Sequence, residues 1–268
     1  MKIAAIQMVS GTSVQANLDA AGQLLAQAAQ QGAELAVLPE YFCLMGLQDA
    51  DKLGIQEPMG AGPIQDFLSQ AAKDLGLWIV GGTLPIATND AQHVRNSTLV
   101  FDPSGHCVAR YDKIHLFRFD NGKERYDESH ILEAGTQPVT FDLASRDGSS
   151  YRIGLSICYD LRFPELYRQL AADVLLVPSA FTYTTGQAHW EILLRARAID
   201  NLAYVVACAQ GGAHENKRRT WGHSMLVDPW GKILAQHDEG AAVVLAEVHQ
   251  ENLQVARARL PSLRQDVL

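Results

Sequence analysis

The sequence predicts an α/β fold in which two related sheets pack face to face, each covered on its outer side by helices. Three observations carry that expectation. Helical and strand periodicities alternate along the chain, and the order of elements in the first half recurs in the second. The inner strands, such as Val174-Leu175-Leu176-Val177 and Ala203-Tyr204-Val205-Val206-Ala207, are apolar on both faces, as strands buried between layers must be.

In the first half, periodicity gives a strand at 2–8, a helix at 15–31, a strand at 34–38, a helix at 63–75, a strand at 77–84, and hairpin strands at 97–101 and 106–112. The second half gives a strand at 151–157, a helix at 164–171, a strand at 173–178, a helix at 187–200 and a strand at 203–209. Hairpin strands at 223–228 and 232–237, a strand at 241–247 and a helix near 250–259 follow. The two hairpins echo each other: Ser97-Thr98-Leu99-Val100-Phe101-Asp102-Pro103-Ser104-Gly105 is matched by His223-Ser224-Met225-Leu226-Val227-Asp228-Pro229-Trp230-Gly231. Each ends in Asp-Pro-x-Gly, which suits a type I turn because Pro fixes φ at the second position and Gly is at ease at the fourth.

A chain of 268 residues, 47% hydrophobic and 19% charged, fills one large core, and no Pro/Ser-rich linker or low-complexity tract divides it. We therefore expect a single domain over 1–268. Met1 to Met8 read as a strand with no signal region before it, and no apolar run approaches the roughly 20 residues that span a bilayer. The expectation is a cytoplasmic protein with no membrane partner. Cys43, Cys107, Cys158 and Cys208 include no close pair, which gives neither a zinc spacing nor a disulfide framework. Asn96-Ser97-Thr98 fits a glycosylation acceptor but reads more simply as the start of a strand. A formal charge of −8 argues against nucleic acid, which needs a basic face. Lys217-Arg218-Arg219 is too short a cluster to change that, and suits one small anion.

Three strand ends carry candidate chemistry. In Arg152-Ile153-Gly154-Leu155-Ser156-Ile157-Cys158-Tyr159-Asp160-Leu161-Arg162-Phe163-Pro164-Glu165, an apolar strand stops at a cysteine and a helix starts near Pro164, where proline is at home in a first turn. Such a strand-turn-helix corner presents a side chain at the carboxyl end of a sheet, with peptide N–H groups close by. Leu35-Ala36-Val37-Leu38-Pro39-Glu40 ends abruptly in a carboxylate among apolar residues, which favours a raised pKa and base chemistry near neutrality. Lys113 lies at the end of a hairpin strand in Tyr111-Asp112-Lys113-Ile114-His115-Leu116-Phe117. Taken singly, the three also read as a packing cysteine, a surface glutamate and a solvated lysine.

Together, Leu38-Pro39-Glu40, Tyr111 to Phe117 and Ser156 to Glu165 resemble, in order and spacing, the three signature segments of the nitrilase (carbon-nitrogen hydrolase) superfamily. The resemblance continues through Pro178-Ser179-Ala180-Phe181, Thr185 to Ile199 and Gly222 to Gly231. It implies a four-layer α-β-β-α sandwich that dimerises, and a Glu40-Lys113-Cys158 triad with no metal or organic cofactor. It also places a second glutamate, Glu128, near the nucleophile, with Glu124 and Glu133 as neighbouring alternatives.

A free thiol and a carboxylic acid differ by about 4 pKa units, so moving a proton from Cys to Glu costs roughly 6 kcal/mol in water. Two shifts are expected to close that gap: desolvation raising Glu40, and Lys113 with local peptide dipoles lowering Cys158. Glu40 then serves as acid and base, and Lys113 with the Tyr159 N–H holds the oxyanion. The expected reaction is hydrolysis of a small carboxylate-bearing amide to acid and ammonia through a cysteine thioester. Asp160, Arg162 and Glu165 read as ion-pair or positioning residues.

Ala209 to Met225 resembles the branch acting on deaminated glutathione, whose carboxylates would need a cationic anchor. Lys217, Arg218, Arg219 and Arg162 are the candidates. The alternatives are an ω-amidase acting on α-ketoglutaramate, hydrolysis of an N-carbamoyl amino acid or a nitrile, a Cys-His hydrolase using His115, His189 or His223, and a catalytically silent binding scaffold.

Overall fold

The alternation of β1 (Lys2–Gln7) sets up the layers: Ile3 and Ala5 belong to a core between two sheets, while Ala4 and Ile6 belong to a core beneath helices. The computed structural model describes residues 1–265. After β1 come α1 (Val14–Gln30), β2 (Leu35–Val37), α2 (Pro63–Leu75), β3 (Trp78–Val80), β4 (Leu84–Ala87), β5 (Val94–Phe101) and β6 (Cys107–Asp112). A small hairpin of β7 (Arg118–Asp120) and β8 (Arg125–Asp127) leads to β9 (Thr140–Ala144) and β10 (Ser150–Leu155). The second half continues with α3 (Pro164–Leu170), β11 (Val174–Ser179), α4 (Tyr183–Asn201), β12 (Tyr204–Ala209), the short hairpin β13 (Gly211–Ala213) and β14 (Arg219–Trp221), β15 (Ser224–Val227), β16 (Ile233–His237), β17 (Ala242–Glu247) and α5 (Gln250–Arg259).

Helix starts follow from local chemistry. Ser13 accepts from the Ala16 N–H at the start of α1, and the buried Glu57 carboxylate accepts from the Ile64 and Gln65 N–H groups at the start of α2. Pro63 and Pro164 open α2 and α3.

The expected internal repeat is present in the strand pairing. One sheet runs β17, β1, β2, β3, β5, β6 and the other β9, β10, β11, β12, β15, β16, with the same sequence of antiparallel, parallel, parallel, antiparallel, antiparallel contacts. The two hairpins even share an irregularity in register, between Val100 and Phe101 in one and between Leu226 and Val227 in the other. Matching the registers of the two sheets aligns Leu38-Pro39-Glu40 with Val177-Pro178-Ser179, and Cys158 with Met8. α1 and α2 cover the first sheet, α3 and α4 cover the second, and β1 meets β12 and β15 between them. This is the four-layer sandwich.

Three expectations need correction. The strand expected at 77–84 is interrupted: Gly82 takes φ +51° with no room for a Cβ, which would lie 2.1 Å from the Pro39 carbonyl oxygen, so β3 and β4 line β5 as separate pieces. The helix expected from 187 begins at Tyr183, because the Thr182 hydroxyl accepts from the Thr185 N–H and offsets the poor helix preference of Thr184, Thr185 and Gly186. The edge strand β9 was not expected, although Phe141 and Leu143 are buried and alternate with exposed residues. Among the described residues no helix is long and apolar enough to cross a membrane.

Candidate active site

Glu40 follows β2, Cys158 follows β10 and Lys113 follows β6, so the facing of the two sheets brings residues from both halves to one point. The backbone there is held in conformations that L-residues avoid. Cys158 has φ +48° and Tyr41 φ +57°, each worth roughly 1–2 kcal/mol of strain. Side chains hold both in place: Thr83 Oγ1 accepts from the Tyr41 N–H at 2.8 Å, Gln210 Nε2 donates to the Glu40 carbonyl at 3.1 Å, and Asp160 Oδ2 accepts from the Ile157 N–H at 2.9 Å.

The cluster is dense and buried. Lys113 Nζ donates to Glu40 Oε1 at 2.8 Å and to both Glu128 oxygens, at 3.0 and 2.8 Å. Glu40 Oε1 also accepts from Asn96 Nδ2 at 2.9 Å, and Oε2 from the Ala180 N–H at 2.9 Å. Glu128 accepts further bonds from the Tyr41 hydroxyl and the Phe117 N–H, each at 2.7 Å. Glu40 and Lys113 are 1% exposed and Cys158 is 7% exposed, so the candidate nucleophile's corner does not stand out into solvent as the sequence suggested; it forms the floor of a cleft.

Electrostatics follow from that burial. Desolvation, reinforced by the charge of Glu128, raises the Glu40 carboxyl above its ordinary value despite Lys113. Burial also opposes ionisation of Glu128, but Lys113 and the converging donors bring it below the ordinary value. Burial disfavours the Lys113 ammonium, yet Glu128 and Glu40 outweigh it and hold the lysine charged well above its usual range.

The expectation of a lowered Cys158 pKa is not met. Burial first and the Glu40 charge second push the thiol well above its usual value, and Lys113 only partly opposes them. Charge count adds to the burial: two carboxylates already face one ammonium, and a thiolate would add a second net negative charge.

Asp160 ties this cluster together from behind. It is fully buried and accepts from the Tyr111 hydroxyl at 2.7 Å and the His115 N–H at 3.0 Å, and it pairs with His115 Nδ1 at 2.7 Å. One carboxylate therefore spans the segment carrying Lys113 and the turn carrying Cys158.

The cleft opens to solvent, with about 700 Å³ of free space in and at its mouth, open solvent included. Its walls come from the loop after β2 (Tyr41, Met45, Asp49), from the β7–β8 region (Phe117, Tyr126, Asp127), from the start of α4, and from Arg218, Arg219 and Thr220 on the β13–β14 hairpin. Tyr159 and Arg162 line it beside Cys158. Arg162 pairs with no carboxylate among the described residues; its Nη1 donates to His189 Nδ1 at 3.3 Å, and its guanidinium lies 5.7 Å from the Tyr159 ring and 5.5 Å from that of Phe181. Lys217 does not reach the cleft, because it occupies the exposed left-handed corner of the hairpin, φ +66°. Glu124 and Glu133 are engaged elsewhere, with Thr184 and Arg95. None of the described histidines lines the cleft, which removes the Cys-His alternative.

Asn96, Tyr41, Thr83 and Gln210 escaped the sequence reading as parts of the site, whereas Asp160 has the positioning role expected of it. Asn96 sat inside an acceptor triplet and a strand, and the only signal was a polar residue at a position of β5 that the sheet buries.

Known proteins resemble this chain along nearly its whole length. The family model described as Carbon-nitrogen hydrolase matches residues 2–258. A deaminated glutathione amidase of Synechocystis is 40% identical over 98% of this chain and 97% of its own length. An omega-amidase of Pongo abelii is 36% identical over 98% of this chain and 94% of its own. The crystal structure of Saccharomyces cerevisiae Nit3, a member of the nitrilase superfamily, superposes with a TM-score of 0.87 at 30% identity, covering 100% of this chain and 97% of that one. With the family model spanning nearly the whole sequence and relatives of this similarity along it, the chain belongs to the carbon-nitrogen hydrolase family of the nitrilase superfamily and is an amidase-type enzyme.

Proposed function

We propose that this enzyme hydrolyses a small carboxylate-bearing amide, with deaminated glutathione as the substrate, through a thioester on Cys158. The observation that carries the reading is the meeting of Cys158, Glu40, Lys113 and Glu128 at the floor of a cleft whose wall holds Arg162, a cation without a carboxylate of its own.

In this reading the thiol enters neutral. Glu40, whose raised pKa makes it a competent proton acceptor, takes the thiol proton as Sγ attacks the amide carbon, so the negative charge passes to the carbonyl oxygen without a free thiolate. Lys113 and the Tyr159 N–H stabilise that oxyanion, each well-placed donor contributing roughly 3–4 kcal/mol. Collapse expels the nitrogen, protonated by Glu40, as ammonia from a primary amide or as an amine from a substituted one. Glu40 then deprotonates the water that opens the thioester, and returns the proton to sulfur. Glu128 keeps Lys113 charged and in place.

Support for the longer substrate comes from the segment Ala209 to Met225, which builds the β13–β14 wall of the cleft, and from the Synechocystis relative's description. Arg162 is assigned to a substrate carboxylate through charge-assisted hydrogen bonds. The specificity constant for deaminated glutathione should exceed that for α-ketoglutaramate at least about tenfold, or about 1.4 kcal/mol of transition-state binding. A preference for α-ketoglutaramate would assign the enzyme to the ω-amidases.

The pH profile has a definite sign. Glu40 acts in its ionised form and its pKa is raised, so kcat/KM should fall on the acid side with an apparent pKa above the ordinary carboxylate value of about 4.3. Lys113 stays charged far into the alkaline range, so no loss should occur below about pH 9. An acid limb at or below the ordinary carboxylate value would contradict a raised Glu40.

We also propose a homodimer working in the cytoplasm. Ile192 and Ile199, two turns apart on α4, are 71% and 43% exposed, Ile199 lies beside Gly231, and the preceding Trp230 is 60% exposed, which gives apolar surface suited to an isologous contact. Light scattering at micromolar concentration should give twice the chain mass; a monomer would refute the assembly.

A further inference from the structure

At the rim of the cleft, away from Cys158, stands a charged group that the amide-cleaving cluster does not use. Arg218 Nη2 donates to Asp49 Oδ1 at 2.8 Å, and Lys52 Nζ lies 3.3 Å from the same oxygen. The Arg218 guanidinium lies 5.4 Å from the Tyr126 ring, and Lys52 rests 4.5 Å over the ring of Tyr41. Arg218, Asp49 and Tyr126 all line the cleft.

Two features make this pair open to exchange. Its side chains are 31% and 44% exposed, a setting in which an ion pair is held only weakly. Asp49 also keeps a second cation, Lys52, so losing Arg218 does not leave its charge alone. Arg218 in turn offers five N–H donors in a planar fork, and Asp49 engages a single nitrogen. An incoming carboxylate can take the remaining edge, or replace Asp49 outright, with better geometry than the resident partner has. Arg219 is less available, since it pairs with Glu239 and stacks at 3.9 Å on Tyr183.

We infer that Arg218 and Asp49 form an exchangeable ion pair that reads a carboxylate on the leaving-group half of the substrate. The inference rests on the amidase reading above: with the scissile carbonyl at Cys158 and the acyl-side carboxylate at Arg162, four residues along the same corner, the part of the ligand facing the rim is the departing amine. The ligand class is an N-substituted amide whose amine half ends in a carboxylate. Asp49 stands in for that carboxylate in the free enzyme and disfavours entry of anions that cannot displace it.

The test compares wild type, Arg218→Gln and Asp49→Asn on two substrates: α-ketoglutaramate, with a carboxylate on the acyl side alone, and deaminated glutathione, with a further one on the leaving amine. The ratio of kcat/KM, long over short, should fall about tenfold or more in Arg218→Gln and rise in Asp49→Asn, through KM, as expected for a charge-assisted contact and for removal of its competitor. A pair that merely latches two walls of the cleft would respond alike in both variants, with the ratio unchanged or lowered in each, and that result overturns the inference. If wild type itself prefers the short amide, the substrate assignment falls, while opposite responses of the two variants still establish the pair.

Discussion

The site depends on one constraint: two buried carboxylates share a single ammonium. Glu40 and Glu128 both bond to Lys113, which is 1% exposed, and among the described residues no second cation bonds to either carboxylate. The cluster therefore carries one net negative charge with the thiol neutral. Burial and that count together set the protonation preferences of Glu40, Lys113 and Cys158. Glu40 is pushed toward its acid form, Lys113 is locked as a cation, and ionisation of Cys158 is resisted. Such a site does not store a reactive thiolate. In the proposed mechanism it holds the base next to the thiol and lets ionisation occur as the carbonyl receives the charge.

The fold supplies this arrangement by putting one repeated pattern of strands to two uses. In the matched registers of the two sheets, Glu40 corresponds to Ser179 and Cys158 to Met8. Each half thus contributes a strand end whose counterpart is chemically silent, and face-to-face packing brings the active ends together. Burial of Ile3, Ala5, Leu35 and Val37 against the second sheet, worth roughly 1.5–3 kcal/mol for each large side chain, supplies the stability against which strained backbone at Tyr41 and Cys158 is maintained.

Much of this was legible in the sequence because the determinants are local. Alternation and apolar runs marked the strands of both sheets, the Asp-Pro-x-Gly turns marked the matching hairpins, and three strand ends carried the residues that meet in the cleft. What escaped was non-local or cooperative. Gly82 breaks a strand because of the Pro39 carbonyl across from it, which no window of sequence reveals. Asn96 and Gln210 hold Glu40 from elements 56 and 170 residues away. The sign of the Cys158 shift was misread for the same reason: burial and the Glu40 charge, neither visible in a local window of sequence, outweigh the lowering by Lys113.

The most direct measurement is the thiolate absorbance of Cys158, taken as the difference between the wild-type protein and Cys158→Ser from about pH 6 to about pH 9, a range that brackets the ordinary thiol value. The account predicts no step in that difference, because burial and the paired carboxylates keep the thiol protonated throughout. A thiolate already present at neutral pH would show that Lys113 serves the sulfur rather than the two glutamates, and would contradict the proton-accepting role of Glu40.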